Sequence, residues 1–355
     1  MNLFVADPEW GAWIVLYFYL GGIAAGAYFI AALVQVVGGP DDRELSRAGY
    51  FIAFPLIVLC GLFLIIDLHR PERFWHMLFK SEVVKEAFGA GWPFSGRAWS
   101  LMWRSPLFKY WSPMSVGSWA LTVFGFFAAV SFVGSFWPNK LVGRNFFRPI
   151  GGRIFAAIGT LFGFFIAAYT GALLSATNQP IWSDSVWLAP LFLTSAASTG
   201  IAAMILMLRR RGVASPASIE RLERADLWAL GLELVLFVVF LASLGGNLNA
   251  LAHSGHGIVV LGGTLLLGLL APLAIHLRLG VSGRRAEIAA ASLALLGGFL
   301  LRYGIVYTPP ELLREGPAAV AGFGPEDGRA QGAPGADPLN RGKSVEPRSK
   351  VFHDE

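Results

Sequence analysis

The 355-residue sequence predicts an all-α integral membrane protein with eight transmembrane helices, grouped as two four-helix bundles. Two observations carry this fold class. Hydrophobic residues make up 55% of the chain and charged residues only 14%, against about 25% charge in soluble domains. The apolar residues also fall into runs of about 18 or more, long enough at about 1.5 Å per residue to cross a hydrocarbon core about 30 Å thick. A β-barrel needs alternating segments of about ten residues, whereas Gly159–Ala168 (GTLFGFFIAA) is apolar on every side. The single cysteine, Cys60, lies inside an apolar run, so this chain alone builds no disulfide and no multi-cysteine metal or iron–sulfur site. The net charge of +5 sits in loops between spans, where membrane topology accounts for it and nucleic-acid binding does not.

The spans fall at residues 11–37, 48–68, 115–137, 154–176, 186–208, 226–245, 257–277 and 286–306. The first follows Asp7 and Glu9 rather than a basic segment and is longer than the apolar core of a signal peptide. It reads as retained, although Ala24–Ala27 resembles a small-residue cleavage site. Gly22 and Gly26 within it have the GxxxG spacing that lets helices approach closely. The basic 209–224 segment is the most polar interruption between spans and suggests a division into a bundle over 1–208, with a long outward loop at 69–112, and a second over 209–306. From residue 307 to 355 the chain is rich in Gly, Pro and charge, the composition of a mobile tail.

Orientation follows from Lys and Arg. The loops after odd-numbered spans hold fourteen, including Arg43, Arg47, Lys140, Arg209, Arg221 and Arg285, while the short loops after the fourth and sixth hold none. The odd-side loops are therefore expected in the cytoplasm, with both termini outside the cytoplasmic (inner) membrane. The loop at 69–112 and the region from Arg302 onward carry seven each, and such long segments weigh less in the rule.

Ionisable residues in spans cost about 3 kcal/mol at a helix centre and so need a partner or a task. Asp67 ends the second span in IIDLHRPERFWHML, followed by His69, Arg70, Glu72 and Arg73. The string suits an interfacial salt-bridge cluster as well as a carboxylate and imidazole placed to exchange protons with a redox-active molecule. Glu233 lies in the sixth span, expected about two turns from its cytoplasmic end, either as a neutral structural group or as a proton relay. His276, next to Arg278, reads as a snorkelling interfacial residue, and His253 and His256 as a polar turn. Tyr169 and Thr170 place hydroxyls deep in the fourth span, where they need partners. The histidines lie at span ends, which argues against haem.

Four strings in order, FYLGGIAAGAY, DLHRPERFWHML, SPMSVGSW (Ser112–Trp119) and YTGALLSATNQPIWSD (Tyr169–Asp184), resemble the NrfD/PsrC family of quinone-interacting membrane subunits of polysulfide-reductase-like complexes. The resemblance is close over most of residues 10–200 and rests on helix pattern and the acid on the sixth span beyond. It implies a quinone site, for menaquinone or ubiquinone, in the N-terminal bundle near the extracytoplasmic face. There a four-cluster ferredoxin-like iron–sulfur subunit docks and passes electrons to or from a catalytic subunit, often a molybdopterin enzyme. The chain itself then carries no haem, iron–sulfur cluster or metal. In this reading Asp67 and His69 handle protons, Tyr169 and Thr170 bond a quinone oxygen, Glu233 admits protons, and Arg70, Arg73 and Asp184 meet the partner. The alternatives are a proton- or ion-translocating or transporter-like protein, or a plain membrane anchor.

Overall fold

The computed structural model describes residues 10–39, 42–68, 70–104, 109, 111–137, 150–277 and 283–314. Among the described residues eight helices are long and apolar enough to cross a membrane, and there is no strand. They are α1 (Ala12–Val37), α2 (Arg43–Asp67), α3 (Pro113–Phe136), α4 (Gly151–Ser175), α5 (Leu188–Arg211), α6 (Pro216–Ser243), α7 (Gly255–His276) and α8 (Arg284–Arg314). Within α7, Val259–Leu270 is wound as a π-helix.

The helices form two rings of four. In one, α1 packs on α2 and α4, and α3 closes the ring between them; in the other, α5 packs on α6 and α8, with α7 between those two. The rings meet where α1 lies along α5, and these two are the most enclosed spans, buried over 67% and 72% of their apolar stretches against 28% for α2 and α6. Small residues make that crossing possible: a Cβ on Gly26 would collide with the Ala196 carbonyl, and one on Gly200 with the backbone at Gly26 and Ala27. The GxxxG spacing in α1 thus serves the seam between bundles.

Two boundaries differ from the sequence reading. Helix α6 begins at Pro216, capped by the Ser215 hydroxyl, which accepts from the Ser218 amide at 3.1 Å, so it takes in Arg221 and Arg224. Glu233 consequently lies deep, about 15 Å below the far end of α6 by the helical rise. Helix α8 runs through Tyr307 and both prolines at 309 and 310 to Arg314. The rest of the expected tail lies outside the described residues.

Between α2 and α3 the chain forms a 3-10 turn (Pro71–Arg73) and short helices at Trp75–Leu78, Ser81–Gly89 and Gly96–Arg104. The Trp119 indole donates to Leu78 O at 2.7 Å, fixing this loop over the start of α3.

Candidate functional site

At the end of the first bundle where α2 and α4 finish, a cavity of about 80 Å³ lies among α1, α2, α3, α4 and the loop at Met77. Asp67 and Tyr169, from different helices, both line it. Its other walls are largely apolar or aromatic, including Trp10, Tyr17, Phe18 and Met114, with the Ser118 hydroxyl as a further polar group. Gly11, just before α1, is close enough that a Cβ there would lie 3.8 Å from Asp67 Oδ1. The Asp67 carboxylate thus lies beside the N-terminal end of α1.

Tyr169 donates its hydroxyl proton to Pro113 O at 2.6 Å, at the first turn of α3. Its ring fits there because residue 117 is glycine, since a Cβ at 117 would come within 2.5 Å of the Tyr169 ring and hydroxyl. With its proton committed, the Tyr169 oxygen can only accept a bond from anything in the cavity. Thr170 is buried, does not line the cavity, and donates to Ala167 O at 3.2 Å in its own helix. His69 lies outside the described residues. Arg70 and Arg73 are exposed at this end. Asp184 is also exposed, yet its Oδ2 accepts from the Ile181 amide and from Asn247 Nδ2, each at 2.7 Å, so it braces the α4–α5 loop as well as facing outward. That loop holds Ile181 at a left-handed φ of 69° and buries Trp182 completely, stacked 5.0 Å from Trp10.

A second polar constellation runs through the other bundle. Glu233 is buried and accepts from Ser198 Oγ at 2.5 Å. One turn away on α5, Ser195 Oγ accepts from Arg302 Nη1 at 3.1 Å. Arg302 is itself fully enclosed: Nε donates to Phe18 O at 3.1 Å, Nη1 to Gly298 O at 2.9 Å, and the guanidinium stands over the Phe192 ring. Gly22 admits it, because a Cβ there would lie 2.6 Å from Arg302 Nη2. Phe18 also lines the cavity of Asp67, so the network abuts that site.

Toward the basic end, His276 Nε2 and Asp226 Oδ2 are 2.8 Å apart, the aspartate buried and the imidazole side chain 6% exposed, and Arg209 pairs with Glu287 nearby. His276 is thus not a snorkelling residue but half of an enclosed pair. His256 is likewise more than a polar turn, with Nδ1 at 2.6 Å from Glu311 Oε2. The sequence reading missed Arg302, Asp226, Ser195 and Ser198. The visible signal for the first was a charge flanked by apolar residues on both sides, in GFLLRYGIV. Among the described residues no group of three His, Cys, Asp or Glu side chains is placed to hold a metal ion.

Eight spans in two bundles, with a carboxylate and a tyrosine in a largely apolar cavity at one end, define a polytopic membrane protein. The family model for "Polysulphide reductase, NrfD" matches residues 5–310, and the chain belongs to that family. It is 26% identical to protein NrfD of Escherichia coli over 84% of this chain and 94% of that one. It is 27% identical to a polysulfide reductase chain of Wolinella succinogenes over 55% of this chain and 56% of that one. A stretch of 78 residues is 36% identical to a selenate reductase subunit of Mesobacillus selenatarsenatis, 22% of this chain and only 18% of that relative's length.

Proposed function

We propose that this chain is the quinone-reactive membrane subunit of a respiratory oxidoreductase complex in the cytoplasmic membrane. It exchanges electrons and protons between the quinone pool and an iron–sulfur subunit on the extracytoplasmic side. The observation that carries this reading is the meeting of Asp67 and Tyr169 in one largely apolar cavity. Relatives named as components of polysulfide, tetrathionate and selenate reductases support a place in a complex with a catalytic subunit, a molybdopterin enzyme in this reading. The charge count supports the orientation, with the cavity end outward and Arg70, Arg73 and Asp184 exposed toward the partner.

The lining suits a quinone ring in chemistry: aromatic and aliphatic walls for the ring and tail, oxygen atoms for its polar edge. At about 80 Å³ the cavity is smaller than the roughly 300–1,000 Å³ of ligand sites, so Met77 and Met114, both flexible, would turn aside to admit menaquinone or ubiquinone. The bound quinone would supply the lipid-soluble carrier of electrons and protons. Asp67, with His69 two residues on, takes and returns protons at the polar edge. Tyr169, its own proton held by Pro113 O, accepts a bond from a ligand hydroxyl. The acceptors at the cavity thus favour the reduced, hydroxyl-bearing form.

A specific observation favours a further element, the route through Glu233. Ser198, Ser195 and Arg302 extend from it to Phe18 at the cavity wall, while Asp226 and His276 lie two turns nearer the basic end. Through this chain Glu233 would admit protons from the cytoplasm. The test of the main reading is Asp67→Asn in the native complex. Quinol-linked turnover should fall by about 10²–10⁴, the usual worth of a positioned proton-transfer group, with assembly and iron, molybdenum and quinone content unchanged. Undiminished turnover would remove Asp67 from the mechanism.

A further inference from the structure

At the basic end of the molecule a second cavity, about 260 Å³, lies between the end of α1, the turn leading into α2 and the start of α6. It is walled by aliphatic side chains, Ile30, Val34, Leu45 and Leu222 among them, and it borders Leu33 and Val37, which are 57% and 77% exposed. In a membrane-spanning helix that exposure is toward lipid, so the cavity opens sideways to acyl chains rather than into water. The Trp228 ring, 76% exposed two turns along α6 from Arg221, marks the same lipid-facing stripe.

Its two charged lining residues are Asp42 and Arg221. Asp42 is buried and fully engaged: its carboxylate meets Arg221 Nη2 at 2.8 Å, accepts from Ser218 Oγ at 3.2 Å and accepts from the Gly39 amide at 3.2 Å. Arg221 donates through Nε to Ala217 O at 3.4 Å and keeps 55% of its side chain exposed. Arg221 also donates through Nη1 to Asp42 Oδ2 at 3.1 Å and through Nη2 to Ser218 Oγ at 3.3 Å, so a buried acid pins a guanidinium at the mouth of an apolar slot and leaves the second hydrogen on Nη1 to meet an anion. Arg43 stands exposed nearby at the start of α2, Arg224 is exposed in the third turn of α6 and pairs with Glu220 at 3.2 Å, and Arg210 and Arg211 are exposed at the end of α5. A quinone would gain little from this arrangement, whereas a phosphate oxygen accepts a charge-assisted bond from the guanidinium N–H that remains.

We propose that this cavity binds an anionic phospholipid, with one acyl chain in the slot and its phosphate on Arg221. The lipid would fill the seam between the two bundles on the face opposite the Asp67 cavity. The inference does not depend on quinone chemistry.

The test begins with the full chain, in its complex, taken from native membranes into mild detergent and analysed by native mass spectrometry for retained lipid. Phosphatidylglycerol or cardiolipin should be enriched over phosphatidylethanolamine relative to the bulk membrane. Ala225→Phe fills the slot from the α6 wall and should lower retention about tenfold, near 1.4 kcal/mol. Should Phe prevent folding, Val34→Phe fills the slot from the other wall. The paired change Asp42→Asn with Arg221→Gln leaves no unpaired buried charge, and should abolish the preference for anionic over zwitterionic lipid. A retained-lipid composition equal to the bulk membrane overturns the proposal, as does undiminished retention in a folded slot-filled variant. Loss of quinone, rather than phospholipid, from that variant would also overturn it.

Discussion

The Trp182 indole donates to the Ile305 carbonyl at 2.6 Å, and that carbonyl is the one Pro309 leaves without its helical partner. A proline four residues on has no N–H to offer Ile305 O, which ordinarily costs a helix about 3 kcal/mol or more. Here the α4–α5 loop supplies the missing donor from outside the helix. The same indole stacks on Trp10, which lines the Asp67 cavity, so the tie between α4–α5 and α8 also sets one wall of the site.

Trp182→Phe should therefore destabilise the protein through the orphaned carbonyl, by about 1–3 kcal/mol beyond lost packing. Pro309→Ala restores a helical donor to Ile305 O. In that background the cost of Trp182→Phe should shrink, giving a coupling of about 1 kcal/mol in a thermal-unfolding cycle in detergent. Strict additivity would mean that the two residues do not share the carbonyl.

Arg302 and Glu233 are joined through Ser195 and Ser198 rather than by direct contact between their charges. Removing one member leaves the other charge enclosed, a situation that costs about 3–5 kcal/mol. Arg302→Met should thus lower the unfolding midpoint sharply, and Arg302→Met with Glu233→Gln should recover much of the loss. Ser198→Ala is milder, about 1.5–3 kcal/mol for a bond to a charged group. Equal stability of the single and double arginine variants would show that the carboxyl gains nothing from the guanidinium.

The positions of the spans were legible because a hydrocarbon core imposes length and apolarity on each helix, and the eight runs match the eight helices to within several residues at most ends. The exceptions have causes. Helix α6 extends ten residues earlier than its apolar run because Ser215 caps it and its first turns lie at the basic end, where charge is tolerated. Helix α8 passes Tyr307 because the loss at Pro309 is made good by Trp182. Asp67 and Tyr169 stood out as polar groups where lipid was expected, and the structure brings them to one cavity. Arg302 did not, since an arginine a few residues before an expected helix end is usually one that snorkels. Only the notch at Gly22 and the acceptors on α1 and α5 reveal that it is enclosed.

Tyr169 offers the sharpest test of the site's chemistry, because its proton is already placed. With the hydroxyl donated to Pro113 O, the oxygen accepts but does not donate toward the cavity. Tyr169→Phe should then weaken a hydroxyl-bearing quinol analogue about fivefold, the worth of roughly 1 kcal/mol, and leave the corresponding quinone nearly unaffected. Gly117→Ala acts differently, since the new methyl occupies the space of the Tyr169 ring and displaces it from the wall. Both ligands should lose affinity in that variant. The measurement is titration of the purified complex with the two analogues, followed by quenching of the cavity tryptophan fluorescence. Equal loss of quinone and quinol in Tyr169→Phe would mean that the tyrosine donates to the ligand, and that the bond to Pro113 gives way when the cavity is filled.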